Sequence, residues 1–332
     1  MNSRERVRRA IHFHGPDHIP HYLPDGKEND ILWVWLDRPA DRQPWTALAD
    51  GRQHKVDAWG VTWETMGGGS FGEAVDWPLA DITQQARYQF PDLHNDAYFA
   101  RAREAIRANN SSANPAYSLG VMPYSSLNEG THNLMGLKNL FVAYYEQPDE
   151  LRAWLVRLSA MQAESIRLLA EIGCDGVMGY DDWGLQDRLM VSPRLIEQFF
   201  MPHYRKNWAL AHALGMDVWL HSCGYIIDIL PMLQDAGLNV IQQDQQENMG
   251  LERLDAKVGG KLAFWCPVDI QQTMIRGTPE DVREYVQRMI ATLGAHQGGL
   301  ISMAYSSPEA VQHTPEKIAA MCEAFREYGV YG

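Results

Sequence analysis

The residues best suited to chemistry are His221 and Cys223, in the stretch His221-Ser222-Cys223-Gly224 that follows the apolar run 216–220. Residues two apart on a β-strand project to the same face, so the imidazole and the thiol would lie side by side. A neutral imidazole and a thiolate are both ligands that zinc prefers in proteins. Gly224 then allows a sharp turn where the strand ends. The spacing therefore predicts part of a zinc site at the end of a strand.

A catalytic zinc ion takes three protein ligands and keeps a fourth position open for substrate or water. Cys266 is the candidate third ligand, because it ends the strand-like segment 261–265 and would meet His221 and Cys223 at a shared mouth. A lone cysteine in such a segment equally fits a buried apolar residue. The sequence thus predicts zinc at His221, Cys223 and Cys266, with the identity of the third ligand left open.

Two adjacent carboxylates, Asp181 and Asp182, follow the strand-like segment 176–180. Carboxylates in a partly buried pocket are costly unless a cation, hydrogen-bond donors or a protonation role stabilises them. We predict that at least one of the two is catalytic; the alternative is that one of them caps or orders the loop. Polar residues at the ends of this and neighbouring segments are the candidates for substrate binding: Tyr180, Gln186, Gln242, Asp244, Asp269 and Glu129.

Strand-like apolar segments alternate with amphipathic helical segments along most of the chain. Several helices begin with a capping residue followed by proline, as at Ser192-Pro193 and Thr278-Pro279,. Such alternation favours a parallel sheet covered by helices, and eight units would close a TIM barrel. The predicted strands are 19–23, 59–64, 117–122, 176–180, 216–221, 238–242, 261–265 and 300–304.

The predicted fold is an α/β (β/α)8 TIM barrel that forms a single domain over 1–332. Residues from about 25 to 115 are irregular and rich in Trp, Gly and Asp, so we assign them to an N-terminal elaboration near the barrel mouth. A doubly wound open sheet is the alternative, but no Gly-x-Gly-x-x-Gly follows the first strand,.

Charge and hydropathy restrict the class of partner. The formal net charge of −13 disfavours a nucleic acid or an anionic membrane surface,. The apolar stretches have the length of strands, far below the roughly 20 residues of a membrane span. The charged N-terminus lacks the apolar core of a signal peptide, and four widely spaced cysteines fit free thiols or metal ligands,. We therefore expect a cytoplasmic protein with a small-molecule substrate.

An ordered series of motifs resembles the uroporphyrinogen decarboxylase superfamily and, within it, the branch of corrinoid-linked methyltransferases. The resemblance implies a TIM barrel with its active site at the C-terminal mouth, and zinc held by a His-x-Cys pair and one more ligand. It also implies methyl transfer between a small methylated substrate, thiol or folate and cobalamin carried by a partner corrinoid protein, and it admits a homodimer. The motifs are Ser3-Arg4-Glu5-Arg6-Val7, Pro16-Asp17-His18-Ile19-Pro20, Asp57-Ala58-Trp59-Gly60-Val61, Asp181-Asp182-Trp183-Gly184, His221-Ser222-Cys223-Gly224, Val268-Asp269-Ile270-Gln271, Gly277-Thr278-Pro279-Glu280 and Thr314-Pro315-Glu316.

Two segments depart from the patterns of that superfamily. Its heme-pathway decarboxylases carry an arginine-rich stretch near the first strand, whereas residues 19–26 here contain no arginine. Its methyltransferases often supply a Cys or His ligand after the last strand, whereas residues 302–308 contain neither. The leading interpretation is a zinc-dependent methyltransferase. The alternatives are a metal-free decarboxylase-type lyase, in which Asp181 or Asp182 stabilises a cationic intermediate, and a non-catalytic binding protein.

Overall fold

The computed structural model describes residues 1–24, 26–27, 29–36, 43–67, 72–122 and 127–331. Its strands are β1 His21–Tyr22, β2 Ile31–Val34, β3 Thr46–Ala47, β4 Gln53–Val56, β5 Thr62–Thr65, β6 Glu73–Asp76, β7 Tyr117–Val121, β8 Gly176–Tyr180, β9 Asp217–His221, β10 Val240–Gln242, β11 Ala263–Cys266 and β12 Leu300–Met303. Its helices are α1 Ser3–Ile11, α2 Asp96–Asn110, α3 Asn128–Met135, α4 Leu137–Glu146, α5 Pro148–Glu171, α6 Pro193–Phe199, α7 Met201–Ala213, α8 Leu230–Asp235, α9 Leu251–Val258, α10 Thr273–Arg276, α11 Pro279–Thr292 and α12 Pro315–Tyr328. None of these helices is long and apolar enough to cross a membrane.

Eight parallel strands form a nearly closed barrel in the order β1-β12-β11-β10-β9-β8-β7-β2. From β7 onward each strand is followed by at least one helix before the next strand begins. This arrangement confirms the predicted (β/α)8 TIM barrel. All the strands predicted from residue 117 onward occur as β7 to β12, with bounds within two residues of the prediction.

The N-terminal part differs from the prediction in two ways. The segment predicted as strand 59–64 forms β5, which lies in a separate antiparallel sheet of β3 to β6 and not in the barrel. The barrel strand is instead β2, inside the range 25–115 that we assigned to an elaboration. Helix α2, which connects β2 to β7, also lies in that range. Strand β2 is a run of four apolar residues without the alternation that indicates a strand, so packing decides that it joins the barrel.

Asp30 joins the two ends of the barrel sheet, β1 and β2. Its backbone N–H donates to the carbonyl oxygen of His21 at 2.8 Å, and its carboxylate accepts the His21 N–H at 2.7 Å. The same carboxylate accepts a hydrogen bond from the Arg6 guanidinium of α1 at 2.6 Å. Asp30 is fully buried, so these partners replace the water that its charge would otherwise require,.

We expect Asp30→Ala to lower the free energy of unfolding by about 3–5 kcal/mol, because it removes the buried carboxylate from Nη1 of Arg6 and leaves the backbone N–H of His21 unpaired,. Urea unfolding measures this change. Asp17→Ala is the matched control, because Asp17 binds the same Arg6 but its side chain is 40% exposed. That pair should contribute about 1 kcal/mol or less. Equal losses in both variants would contradict this account of the barrel seam.

The side chains of each strand divide between two apolar layers. Residues such as Trp219 and Trp265 point into the barrel, where Val7 of α1 packs beneath them. Their neighbours on the same strands, Leu220 and Cys266, point outward into the layer between the strands and the helices. Successive side chains of a strand point alternately into and out of the barrel. Only the strand-end residues whose side chains point inward can therefore reach the barrel mouth.

Candidate metal centre

Three possible ligands converge where β8 and β9 end: Asp182, His221 and Cys223. Their ligand atoms all lie within 4.8 Å of one another. Nε2 of His221 lies 3.3 Å from Sγ of Cys223 and 3.4 Å from Oδ1 of Asp182. Tetrahedral ligands of zinc, with bonds of about 2.0–2.3 Å, lie roughly 3.3–3.7 Å apart. The three donors are therefore spaced for one zinc ion with a fourth position open.

A hydrogen-bond chain behind His221 sets the orientation of its ring. Nδ1 of His221 bonds to Oε1 of Gln242, whose Nε2 donates to Oδ1 of Asp244 at 2.9 Å. Because an amide oxygen only accepts, Nδ1 carries a proton, and Nε2 is the nitrogen that faces Cys223 and Asp182,. Gln242 and Asp244, predicted to bind substrate, thus lie behind the histidine.

Replacing Gln242 with leucine should weaken zinc binding about 10–100-fold, because residues that orient a ligand typically contribute this much to metal affinity. Competition with a chromophoric chelator measures the affinity. Gln186→Leu is the control, since Gln186 is an exposed amide at the rim that bonds to Asn248 at 3.0 Å. If both variants bind zinc as the unmodified protein does, the orienting role of Gln242 is wrong.

Two glycines allow the loops that carry the three ligands to touch through their backbones. Gly184 donates its N–H to the carbonyl oxygen of Cys223 at 3.2 Å, and the Cys223 N–H donates to Asp182 at 2.7 Å. A Cβ on Gly184 would lie 2.4 Å from the Tyr225 nitrogen, and one on Gly224 would lie 2.4 Å from the Gly184 carbonyl oxygen. Only glycine permits this approach, which explains why both loops end in glycine.

Asp181 faces away from the three ligands and caps α3. Its buried carboxylate accepts the backbone N–H groups of Leu127, Asn128 and Glu129 at 2.7–3.1 Å, and the hydroxyl of Tyr204. These are N–H groups that the first turn of a helix leaves unpaired. Burial raises the pKa of Asp181 to about 6, against the opposing effect of these hydrogen bonds. The residue therefore positions α3 at the mouth.

Helix α3 in turn presents Glu129 and His132, one helical turn apart, to Asp182. Burial raises the pKa of Glu129 to about 7, with a further contribution from the negative charges of Asp182 and Asp181. Burial lowers the pKa of His132 to about 4. Near neutral pH this face of α3 thus combines an uncharged imidazole with a carboxyl group that can gain or lose a proton.

Three predicted site residues are not brought to the ligands. Cys266 is fully buried in the outer layer, and burial raises the pKa of its thiol. The carboxylate of Asp269 accepts the N–H groups of Gln271, Gln272 and Thr273 at 2.8–3.1 Å and so orders its own loop. Gln186 stays at the rim. Cys266 therefore lies apart from the group of three possible ligands, because its side chain points from β11 into the layer outside the barrel.

Tyr180 does lie at the site, with its ring centroid 5.6 Å from that of His221. Two further tyrosines near the site, Tyr204 and Tyr305, were not predicted from the sequence. Tyr204 lies within α7, and no pattern near it in the sequence indicates contact with Asp181. Tyr305 follows β12, so the rule that located the other strand-end residues would also have found it.

Comparisons with known proteins agree with this fold. Residues 72–328 match the family model described as uroporphyrinogen decarboxylase (URO-D). A uroporphyrinogen decarboxylase of Methylococcus capsulatus is 23% identical over 192 residues, which are 55% of this chain and only 50% of that protein. A solved methyltransferase from Methanosarcina mazei has a TM-score of 0.68 over 99% of both chains at 13% identity, which shows a shared fold. Because the family match covers most of its length, the chain belongs to the uroporphyrinogen decarboxylase family.

Proposed function

We propose that the protein is a zinc-dependent methyltransferase that moves a methyl group between a small substrate and cobalamin carried by a partner corrinoid protein. The observation that carries the proposal is the group of Asp182, His221 and Cys223, whose three donors fit one zinc ion,. The solved protein with the same fold over 99% of its chain is a methyltransferase, which supports the proposal. Asp182 takes the place of Cys266 as the third ligand.

The protein's own residues have distinct roles in this proposal. When bound, zinc supplies a Lewis acid that binds a thiol as thiolate or polarises the atom that bears the methyl group. His221 is held in the ligating tautomer by Gln242, and Cys223 is fixed by its N–H bond to Asp182. Glu129, with a pKa of about 7, takes up or gives the proton that accompanies transfer to or from a heteroatom,.

A metal-free decarboxylase is the second candidate, because the family model and the Methylococcus relative carry that name. Decarboxylation of an acidic substrate needs cationic groups to hold its carboxylates. Residues 19–26 contain no arginine, and none of the described residues that line a cavity of about 430 Å³ at the mouth is Lys or Arg. The structure therefore favours the methyltransferase.

The test combines metal analysis with a methyl-transfer assay. Purified protein should contain about one zinc ion per chain, as in other three-ligand catalytic sites. With methylcobalamin as donor and 2-mercaptoethanol as acceptor, the loss of methylcobalamin absorbance should depend on the protein and stop after treatment with a chelator. Protein that binds no zinc and transfers no methyl group, but releases carbon dioxide from an acidic substrate, would establish the decarboxylase instead.

A further inference from the structure

A cavity of about 430 Å³ opens at the barrel mouth, between the loop after β1 and the segment after β12. We call it the mouth cavity. Its volume is within the range of small-molecule sites, towards the lower end. The residues of its wall that matter here are Tyr22, Leu23, Val268, Met274, Tyr305 and Met321.

Two contacts connect the mouth cavity to the candidate metal centre. Gln242, which holds His221, donates from Nε2 to Sδ of Met303 at 3.2 Å. Met303 is paired in register with Tyr22, which lines the cavity, and Tyr305 follows Met303 by two residues. The charges of Asp244, Cys223 and His221 all act on the hydroxyl of Tyr305. Tyr305 therefore lines the cavity on the side of the metal centre.

The charges around the mouth cavity disfavour an anionic ligand. None of its described lining residues is Lys or Arg. With zinc bound, Asp182 and the thiolate of Cys223 would balance the two charges of the ion, and the carboxylates of Asp244 and Glu129 would add negative charge on that side. An anion in this cavity would find no cationic side chain among the described residues of its wall, which makes the loss of its hydration costly,.

Two polar side chains of the wall are already paired, which disfavours a ligand with many polar groups. The side chain of Asn29 bonds in both directions to the backbone of Leu23, at 2.7 and 3.0 Å. Nε2 of His313 bonds to the carbonyl oxygen of Ile270 at 3.2 Å. In contrast, the hydroxyl of Tyr305 makes no hydrogen bond to any described residue, although the ring is half-buried. A ligand would thus meet an apolar wall and one well-placed hydroxyl.

We propose that the mouth cavity is the site of the methyl-bearing substrate, that this substrate is an uncharged molecule of about one ring, and that Tyr305 binds it. The hydroxyl of Tyr305 donates a hydrogen bond to the heteroatom of the substrate and holds it beside the open ligand position. A cation is not favoured either, because none of the described residues that line the cavity is Asp or Glu. That the bound molecule exchanges a methyl group rests on the proposed function. That the cavity binds an uncharged molecule of about one ring does not.

Calorimetric titration with three methyl-bearing probes of one ring but different charge tests the proposal: 2-methoxyphenol (uncharged), 3-methoxybenzoate (anionic) and trimethylphenylammonium (cationic). We expect 2-methoxyphenol to bind at least about tenfold more tightly than either ion. Tyr305→Phe should weaken its binding about 5–10-fold, the effect of losing one hydrogen bond. Ser306→Trp, which places a large ring at an exposed position of the wall, should weaken it more.

Tyr145→Phe is the matched control, because Tyr145 on α4 is 76% exposed and does not line this cavity. The proposal is overturned if either ion binds as tightly as 2-methoxyphenol, or if Tyr305→Phe and Ser306→Trp leave its affinity unchanged. Because binding is measured without turnover, the result is independent of the proposed function. If zinc-free, inactive protein binds 2-methoxyphenol, the substrate site is supported and the proposed function is not. If the protein transfers methyl groups with zinc but does not bind 2-methoxyphenol, the proposed function stands and the substrate site is wrong.

Discussion

Replacing Cys223 with alanine should abolish zinc binding, whereas replacing Cys266 with alanine should leave it intact. Cys223 lies 3.3 Å from the ligating nitrogen of His221, and its removal leaves two protein donors. Loss of a direct ligand should exceed the 10–100-fold effect of losing an orienting residue, so we expect a loss of affinity well above about a hundredfold. Methyl transfer should be lost with the metal.

Cys266→Ala is the matched control, because it removes the same thiol from a strand end that faces away from the mouth. It should lower the free energy of unfolding by about 1 kcal/mol, the effect of a small buried deletion, without changing zinc content. Elemental analysis of the unmodified protein beside both variants gives the comparison. Zinc lost from the Cys266 variant would restore that residue as a ligand and remove Asp182 from the proposed set.

The different fates of these two cysteines show what strand periodicity can and cannot predict. His221 and Cys223 were predicted together because a spacing of two fixes their shared face whatever the strand bounds are. Cys266 was placed at the mouth because it ends the strand-like segment 261–265, and that position does not decide on which face of the strand its side chain lies. A shift of one residue in a strand exchanges its two faces. Trp265, its neighbour, points inward, so Cys266 points outward.

The barrel strands could be predicted where the local sequence pattern indicates the same element that packing selects. Strands β7 to β12 are apolar runs of ordinary length, separated by helices with clear capping residues such as Ser192 and Thr278. In the first third of the chain these signals conflict. Segment 59–64 has the alternation of a half-buried strand and Ile31–Val34 has none, yet only the latter pairs with β7 beside Asp30, the residue that closes the barrel. That choice depends on contacts distant in sequence.

The roles of Asp181 and Asp182 likewise depend on distant contacts. Both carboxylates follow β8, and the sequence analysis left open which of them is catalytic and which orders the loop. The N-terminus of α3 and the hydroxyl of Tyr204 surround Asp181, whereas His221 and Cys223 surround Asp182. Neither set of partners is near the pair in sequence. The environment of each carboxylate therefore assigns a role that residue type alone does not.

Substitution of each aspartate by asparagine should separate these roles. Asp181→Asn should lower the free energy of unfolding by about 3 kcal/mol, because a neutral amide replaces a buried anion and turns an N–H₂ group towards N–H donors. Asp182→Asn keeps an oxygen that accepts the Cys223 N–H. The free energy of unfolding of this variant, measured in chelator so that no zinc is bound, should therefore change by less than about 1 kcal/mol,. Its zinc affinity, however, should fall by about a hundredfold or more, because an amide oxygen is a weaker zinc ligand than a carboxylate. Urea unfolding in chelator and chelator competition, applied to both variants, measure the two effects. The reverse pattern, with zinc lost from Asp181→Asn and stability lost from Asp182→Asn, would make Asp181 the ligand and exclude the site geometry described above.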